Sequence, residues 1–317
     1  MAEETTRKAR ADLERRERPR VDKVVSADEA ARRVHDGDHI AVGGTLYSRT
    51  PMSLLFAVLR AQRTALTLSR PLTCYEAELF LVTGAADRIV TSWMGIGLQW
   101  GLSPVLRRYV EDGLATYDEW SHLAIGLRYK AGAMGVPFLP SFTMLGSDLA
   151  GALDLATVAC PYTSERLLAV PALHPDVALI HVHRADVYGN SQIDGYRHMD
   201  ADMARAARTV IVSAEQIVSE DVIAKDPAST VLPHFAVDAV VEAPFGSYPH
   251  ECYGLYEADT DHFDDYVASQ RAEGLEAVRK YVARNVTGVE DFQGFLDGVG
   301  TERLTRQARR AKELLPQ

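Results

Sequence analysis

At 317 residues, 47% hydrophobic and 25% charged, the sequence has the composition of a soluble globular protein, long enough for one large α/β domain or two smaller ones. Its net charge of −10 argues against nucleic acid as a partner, so any anionic ligand needs a local cluster of arginines. Three scattered cysteines, Cys74, Cys160 and Cys252, make no C-x-x-C pair, which predicts reduced thiols, a cytoplasmic location and no metal site.

Residues 1–20 mix acids and bases without an apolar run and read as a charged extension, neither a signal peptide nor a membrane span. Ser26 with Glu29 forms a capping box for a short helix ending at Asp36-Gly37, and His39 to Val42 reads as a buried strand. Gly43 and Gly44 follow at once, and Thr50-Pro51 announces a helix through Leu54, Leu55, Val58 and Leu59. Strand, paired glycines and helix in that order make either a plain tight turn or a place where backbone N–H groups face an anionic or carbonyl oxygen.

Leu66 to Leu68, Phe80 to Val82 and Arg88 to Trp93 are expected strands. The glycines after the last of them are spaced G-x-G-x-x-x-G, outside the first βα unit, so a nicotinamide site is disfavoured. A helix starts at Pro104. Thr116 with Glu119 reads as a second capping box and predicts a mostly buried helix from about Tyr117, stopped by Gly135 and Pro137. Pro137 to Pro140 is too proline-bound for an inner strand, and Gly146-Ser147-Asp148 suits a turn facing a ligand.

Leu155 to Ala159, Val177 to His183, Thr209 to Ser213 and Ala236 to Glu242 read as strands, with a helix from Asp200 to Ala207 among them. His181 and His183 share one face of the strongest strand, as hydrogen-bonded histidines or as metal ligands lacking an evident third. The loop from Arg184 to Gln192 ends that strand, where a parallel sheet carries its ligand chemistry. From His262 the chain turns helical and charged, with the last helix beginning at Thr301. Alternating strands and helices predict an α/β fold with an open, mostly parallel sheet flanked by helices, over residues 21–265, followed by a helical extension over 266–317.

Five segments carry a family resemblance by their order and spacing: AVGGTLYSRTPMSLLFAVLRA (41–61), DEWSHLAIGLRYKAGAMGVPFLPSFTMLGSDL (118–149), PDVALIHVHRADVYGNSQIDG (175–195), TVIVSAEQIV (209–218) and VDAVVEAP (237–244). From Val21 to Asp265 the chain resembles the A subunit of a family I coenzyme A transferase, closest to the glutaconate CoA-transferase type. That resemblance implies the CoA-transferase (sugar-phosphate-isomerase-like) fold and a B-type partner chain in an α2β2 assembly. Coenzyme A then enters as part of an acyl-CoA substrate, and no tightly bound cofactor is expected.

Transferases of this group use a B-subunit glutamate, in a Ser-Glu-Asn-Gly or Glu-x-Gly motif, that becomes a glutamyl-CoA thioester. Glu111-Asp-Gly113 and Glu273-Gly-Leu275 lie in helical, polar surroundings and are poor matches, so the partner should supply the nucleophile. The chain is also similar to the A subunit of steroid-ring-opening CoA-ester hydrolases, whose functional glutamate matches Asp118-Glu119 here, and decarboxylases reuse the scaffold. The resemblance therefore makes Glu119 a candidate base, against the plainer reading of a helix cap. Gly43 and Gly44 become candidate backbone donors to the acyl or thioester carbonyl. Ser147, Asp148 and Asn190 are candidates for the acyl pocket, and Arg49, Arg128 and Arg184 for a substrate carboxylate, or else for ordinary ion pairs. Without a G-x-S-x-G elbow or a paired Cys and His, a self-contained covalent hydrolase is not expected. A non-catalytic ligand-binding subunit stays open; a regulator is disfavoured, because the first twenty residues are too few for a helix-turn-helix.

Overall fold

The computed structural model describes residues 2–15, 17 and 19–315; Met1, Arg16 and Arg18 of the predicted extension, with Pro316 and Gln317, lie outside the described residues. Helices α1 (Ala2–Arg15) and α2 (Ala27–Ala31) precede β1 (His39–Val42). Then come α3 (Met52–Arg60), β2 (Leu66–Ser69), α4 (Tyr75–Val82), β3 (Ala86–Thr91), the short pair β4 (Gly95–Gly97) and β5 (Gly101–Leu102), α5 (Pro104–Glu111), β6 (Thr116–Glu119) and α6 (His122–Met134). Next are β7 (Phe138–Ser141), α7 (Asp148–Ala152), β8 (Thr157–Ala159) and β9 (Arg166–Pro171), whose three strands make a small antiparallel sheet. The chain continues through β10 (Val177–Ala185), β11 (Ser191–Gln192), α8 (Asp200–Ala206), β12 (Thr209–Ile217), α9 (Glu220–Lys225), β13 (Thr230–Leu232) and β14 (Ala239–Glu242). It ends in α10 (Thr260–Glu273), α11 (Leu275–Asn285), α12 (Phe292–Val299) and α13 (Thr301–Leu314).

Seven strands of the main sheet run parallel in the order β6-β3-β2-β1-β10-β12-β14, and β11 and β13 add antiparallel pairs at the end of β10. The chain winds outward from β1 to β6, then returns to the other side of β1 with β10. That reversal is a topological switch point, and the crevice above β1 and β10 is where ligands bind in open α/β sheets. The apolar inner strand β10 is buried at every position but Arg184, as a strand covered by helices on both faces must be.

Two local expectations are corrected. Thr116 to Glu119 is a strand, not a helix start: it pairs in parallel with Arg88 to Thr91, and the helix begins after Ser121, whose hydroxyl accepts from the Ala124 N–H at 3.1 Å. Alternation of Tyr117 and Glu119 against Asp118 suits an edge strand, and this outweighs the T-x-x-E pattern. Helix α6 is buried on one face only, since Leu123 and Met134 are exposed, and Gly135 stops it in the left-handed region at φ 67°. Phe80 to Val82 belongs to α4, buried at all eight positions; the apolar run Leu79 to Val82 is too short for periodicity to separate helix from strand. Helix α2 also ends at Ala31, ahead of Asp36-Gly37. Pro137 to Pro140 behaves as expected, since β7 is an edge strand.

The helical region begins at Thr260 and joins the main core. Phe292 and Phe295 pack on Phe56 with ring centroids 5.4 and 5.2 Å apart. Tyr266 donates to Glu78 Oε2 at 2.7 Å, and Gln270 donates to the same oxygen, tying α10 to α4. Burial holds the Glu78 carboxyl at about 7, above its ordinary 4.5, against the lowering effect of these donors. The folded chain thus keeps a proton that the unfolded chain has lost, so this group weakens stability as pH rises from 4.5 through 7. Glu78→Gln is expected to flatten that part of the stability profile in urea titrations at several pH values; parallel profiles for variant and wild type would contradict it.

Candidate active site

The switch-point crevice is occupied by the protein's own polar side chains. Arg49 is fully buried and donates to Asp200 Oδ2 at 2.6 Å, to the His181 carbonyl at 2.9 Å and to the Tyr196 carbonyl at 2.7 Å. Asp200 Oδ1 accepts the Gly44 N–H at 2.8 Å, and the Gly43 N–H donates to the Leu179 carbonyl at 2.8 Å. Gly43, Gly44 and Arg49, expected to face the acyl carbonyl and a substrate carboxylate, thus have internal partners in the folded chain. The glycines serve close approach instead. A Cβ on Gly43 would sit 3.0 Å from the Leu179 carbonyl, and Gly44 takes φ +67° with no room against the Ser48 carbonyl.

The two histidines of β10 are hydrogen-bonded. His181 pairs through Nδ1 with Ser213 Oγ at 2.9 Å and through Nε2 with Glu215 Oε1 at 2.7 Å. Glu215 also accepts from the Phe245 N–H and the Tyr256 hydroxyl. His183 Nε2 donates to the Tyr253 carbonyl at 2.9 Å, and burial brings its pKa down to about 4, so the ring is neutral.

Arg184 grips Asp194 through both terminal nitrogens at 2.8 and 2.7 Å and donates to Gln192. Arg128 lies with its guanidinium 4.0 Å from the Trp120 ring and donates to the Pro171 carbonyl at 3.3 Å; burial lowers its pKa to about 10. Asn190 donates to Asp186 and accepts from the His234 N–H, locking the turn after β10. The structure thus gives these three an internal partner instead of a common pocket. Ser147 donates to the Met144 carbonyl, and Asp148 opens α7 exposed. Their loop does meet the start of α6, through Thr143 and Ser121 at 2.7 Å.

Glu119 is placed differently. It ends β6, the edge strand, exposed, and with Tyr117 it lines an open cavity of about 310 Å³ over the carboxyl ends of β3 and β6. Burial first, and then the neighbouring Glu119 carboxylate, push the Tyr117 phenol up to about 12. Ser92, Trp93 and Met94 form the sheet side of the cavity, and α5 with its cap forms the other side through Ser103, Leu106, Arg107 and Val110. Of the three tryptophans, Trp93 alone shares this cavity; Trp120 lies under Arg128, and Trp100 packs on Phe263 at 5.6 Å. Arg107 and Ser92 are residues that the sequence did not single out. The i, i+3, i+4, i+7 spacing of positions 103, 106, 107 and 110 on the helix begun by Pro104 is the signal that marks that face.

These features define a doubly wound α/β protein whose switch point is closed by an internal ion pair and whose open cavity holds a carboxylate at the sheet edge. The chain belongs to the coenzyme A transferase family, whose model matches residues 24–243. It is 31% identical to the A subunit of glutaconate CoA-transferase from Acidaminococcus fermentans, over 87% of this chain and 91% of that one. The solved structure of that glutaconate coenzyme A-transferase superimposes with a TM-score of 0.85 over 90% of this chain and 95% of the other. The chain is 30% identical to the cholesterol ring-cleaving hydrolase IpdA subunit of Rhodococcus jostii, over 85% of this chain and 94% of that relative. An uncharacterized Archaeoglobus fulgidus protein is 38% identical over 94% of this chain, which spans 66% of that longer relative. Among the described residues no helix is long and apolar enough to cross a membrane.

Proposed function

We propose that the chain is the A subunit of a two-subunit, CoA-transferase-like enzyme acting on the acyl-CoA thioester of a carboxylated acid, with a B-type partner supplying the glutamyl nucleophile. The observation that carries this reading is the match to the glutaconate CoA-transferase chain along nearly its whole length, in sequence and in backbone. In this scheme the partner's carboxylate attacks the acyl thioester and expels the coenzyme A thiolate, which then attacks the glutamyl carbonyl of the mixed anhydride and releases the donor acid; an acceptor carboxylate takes coenzyme A from the glutamyl thioester by the same two steps in reverse. The A subunit contributes the cavity wall. Arg107, which lines it, takes the place of Arg49 as the candidate for pairing with the substrate carboxylate.

A second reading is favoured by Glu119. An exposed carboxylate in a cavity walled by Trp93 and Tyr117 suits a general base that removes a proton from water or substrate, as hydrolysis, ring opening or decarboxylation on this scaffold requires. Borohydride treatment of the two-subunit complex in the presence of acyl-CoA separates the two. Inactivation is expected for transfer, because the glutamyl thioester is reducible. Full resistance, with product released and no acceptor acid needed, would reject transfer in favour of the Glu119 reading.

A further inference from the structure

We propose that Cys74, Glu76 and His250 form a binding site for a single divalent transition-metal ion, best matched by Zn²⁺. All three side chains are completely buried, and one donor atom from each, Cys74 Sγ, a Glu76 carboxylate oxygen and a His250 ring nitrogen, lies within 4.8 Å of the other two. Glu76 Oε2 stands 3.8 Å from His250 Nε2. Glu76 Oε2 and both His250 ring nitrogens lack a hydrogen bond of good geometry among the described residues, the Ser247 backbone interacting only weakly with the ring. Buried polar atoms without partners are rare and costly, and three in one cluster call for something that unites them.

A second cluster makes the contrast. His181, Glu215 and Cys252 converge just as closely, but both ring nitrogens of His181 and both oxygens of Glu215 already have protein partners. That cluster is complete as a hydrogen-bond network, and the Cys74 cluster is not.

The surroundings suit a metal. Glu76 Oε1 accepts from Arg70 Nη1 at 2.6 Å and from the Cys74 N–H at 2.9 Å, which orients the carboxylate and leaves Oε2 free. His250 is held by stacking on Tyr75, ring centroids 5.5 Å apart. Cys74 occupies the N-cap of α4 without capping it, and its thiol makes only a 3.3 Å contact to the Ile96 carbonyl. Binding would release the thiol proton to solvent and leave a thiolate, an imidazole and a carboxylate on the ion, a donor set that zinc accepts with a fourth position for water. The ion would join the loop before α4 to the segment after β14. This inference does not depend on the acyl-CoA reading.

The test uses the full chain, purified without chelator. About one zinc per chain is expected by elemental analysis. Replacement by Co²⁺ should give a thiolate-to-cobalt charge-transfer band that Cys74→Ser removes. X-ray absorption of the wild-type zinc form should report one sulfur with nitrogen and oxygen neighbours, which does not depend on how the variant folds. Wild-type protein that binds neither Zn²⁺ nor Co²⁺ in titration calorimetry, a charge-transfer band that survives Cys74→Ser, or a zinc shell without sulfur would each overturn the proposal.

Discussion

On the general-base reading, Glu119→Gln in the assembled two-subunit complex is expected to lower turnover by about 10² to 10⁴-fold, the usual range for losing such a group. The same change should move the folding free energy by no more than about 0.5 kcal/mol, as for exposed positions without special partners. These two numbers belong together. Had Glu119 capped a helix, its loss would cost stability and any kinetic effect would be ambiguous. Ser121 does the capping, and Glu119 projects into an open cavity, so activity and stability are separable. Steady-state kinetics beside a denaturant titration measure both. Unchanged turnover would remove Glu119 from the chemistry and leave the partner's nucleophile as the sole carboxylate in play.

Asp200→Ala is expected to do the reverse, costing about 3 to 5 kcal/mol of stability, because it strands a buried guanidinium. Asp200 has no exposed surface and serves two donors, Arg49 and the Gly44 N–H. Lysine at position 49 should not compensate for lost geometry, since Arg49 reaches Asp200 and two backbone carbonyls from one planar fork. Replacing both partners together, Arg49→Met with Asp200→Leu, should recover part of the loss, because no unpaired charge is left behind. Equal urea midpoints for Asp200→Ala and wild type would show that the pair contributes nothing.

The alternation of strand and helix was legible because it is written in local periodicity: Val177 to His183 cannot be much other than an inner strand, and Gly135 cannot well extend a helix. The fold class and the family segments followed from such signals. What failed failed for local reasons too. Thr116 and Glu119 share the spacing of a capping box, while the true cap, Ser121, stands two residues further on and lacks the glutamate that completes the motif. Leu79 to Val82 is an apolar run of four residues, too short for a period to distinguish it. The site was less readable than the fold. Arg49 meets Asp200 across 151 positions, and His250 meets Glu76 only once the sheet is assembled. No spacing rule announces such pairs, and an arginine after a glycine turn therefore reads as a ligand group when it is a clamp.

The position of Glu119 on an edge strand makes the chemistry a question of phase. Along β6, Tyr117 and Glu119 face the cavity, while Asp118 turns to Arg88 at 2.6 Å and Trp120 lies under Arg128 on the opposite side. Two carboxylates stand side by side in the chain, and only the pleat decides which one the cavity sees. A shift of one residue against β3 would deliver Asp118 to the cavity and bury Glu119 against two arginines. With a neighbour on one side only, β6 holds this phase through its four-residue ladder to β3, with the buried Trp120 ring packed against Arg128 just beyond it.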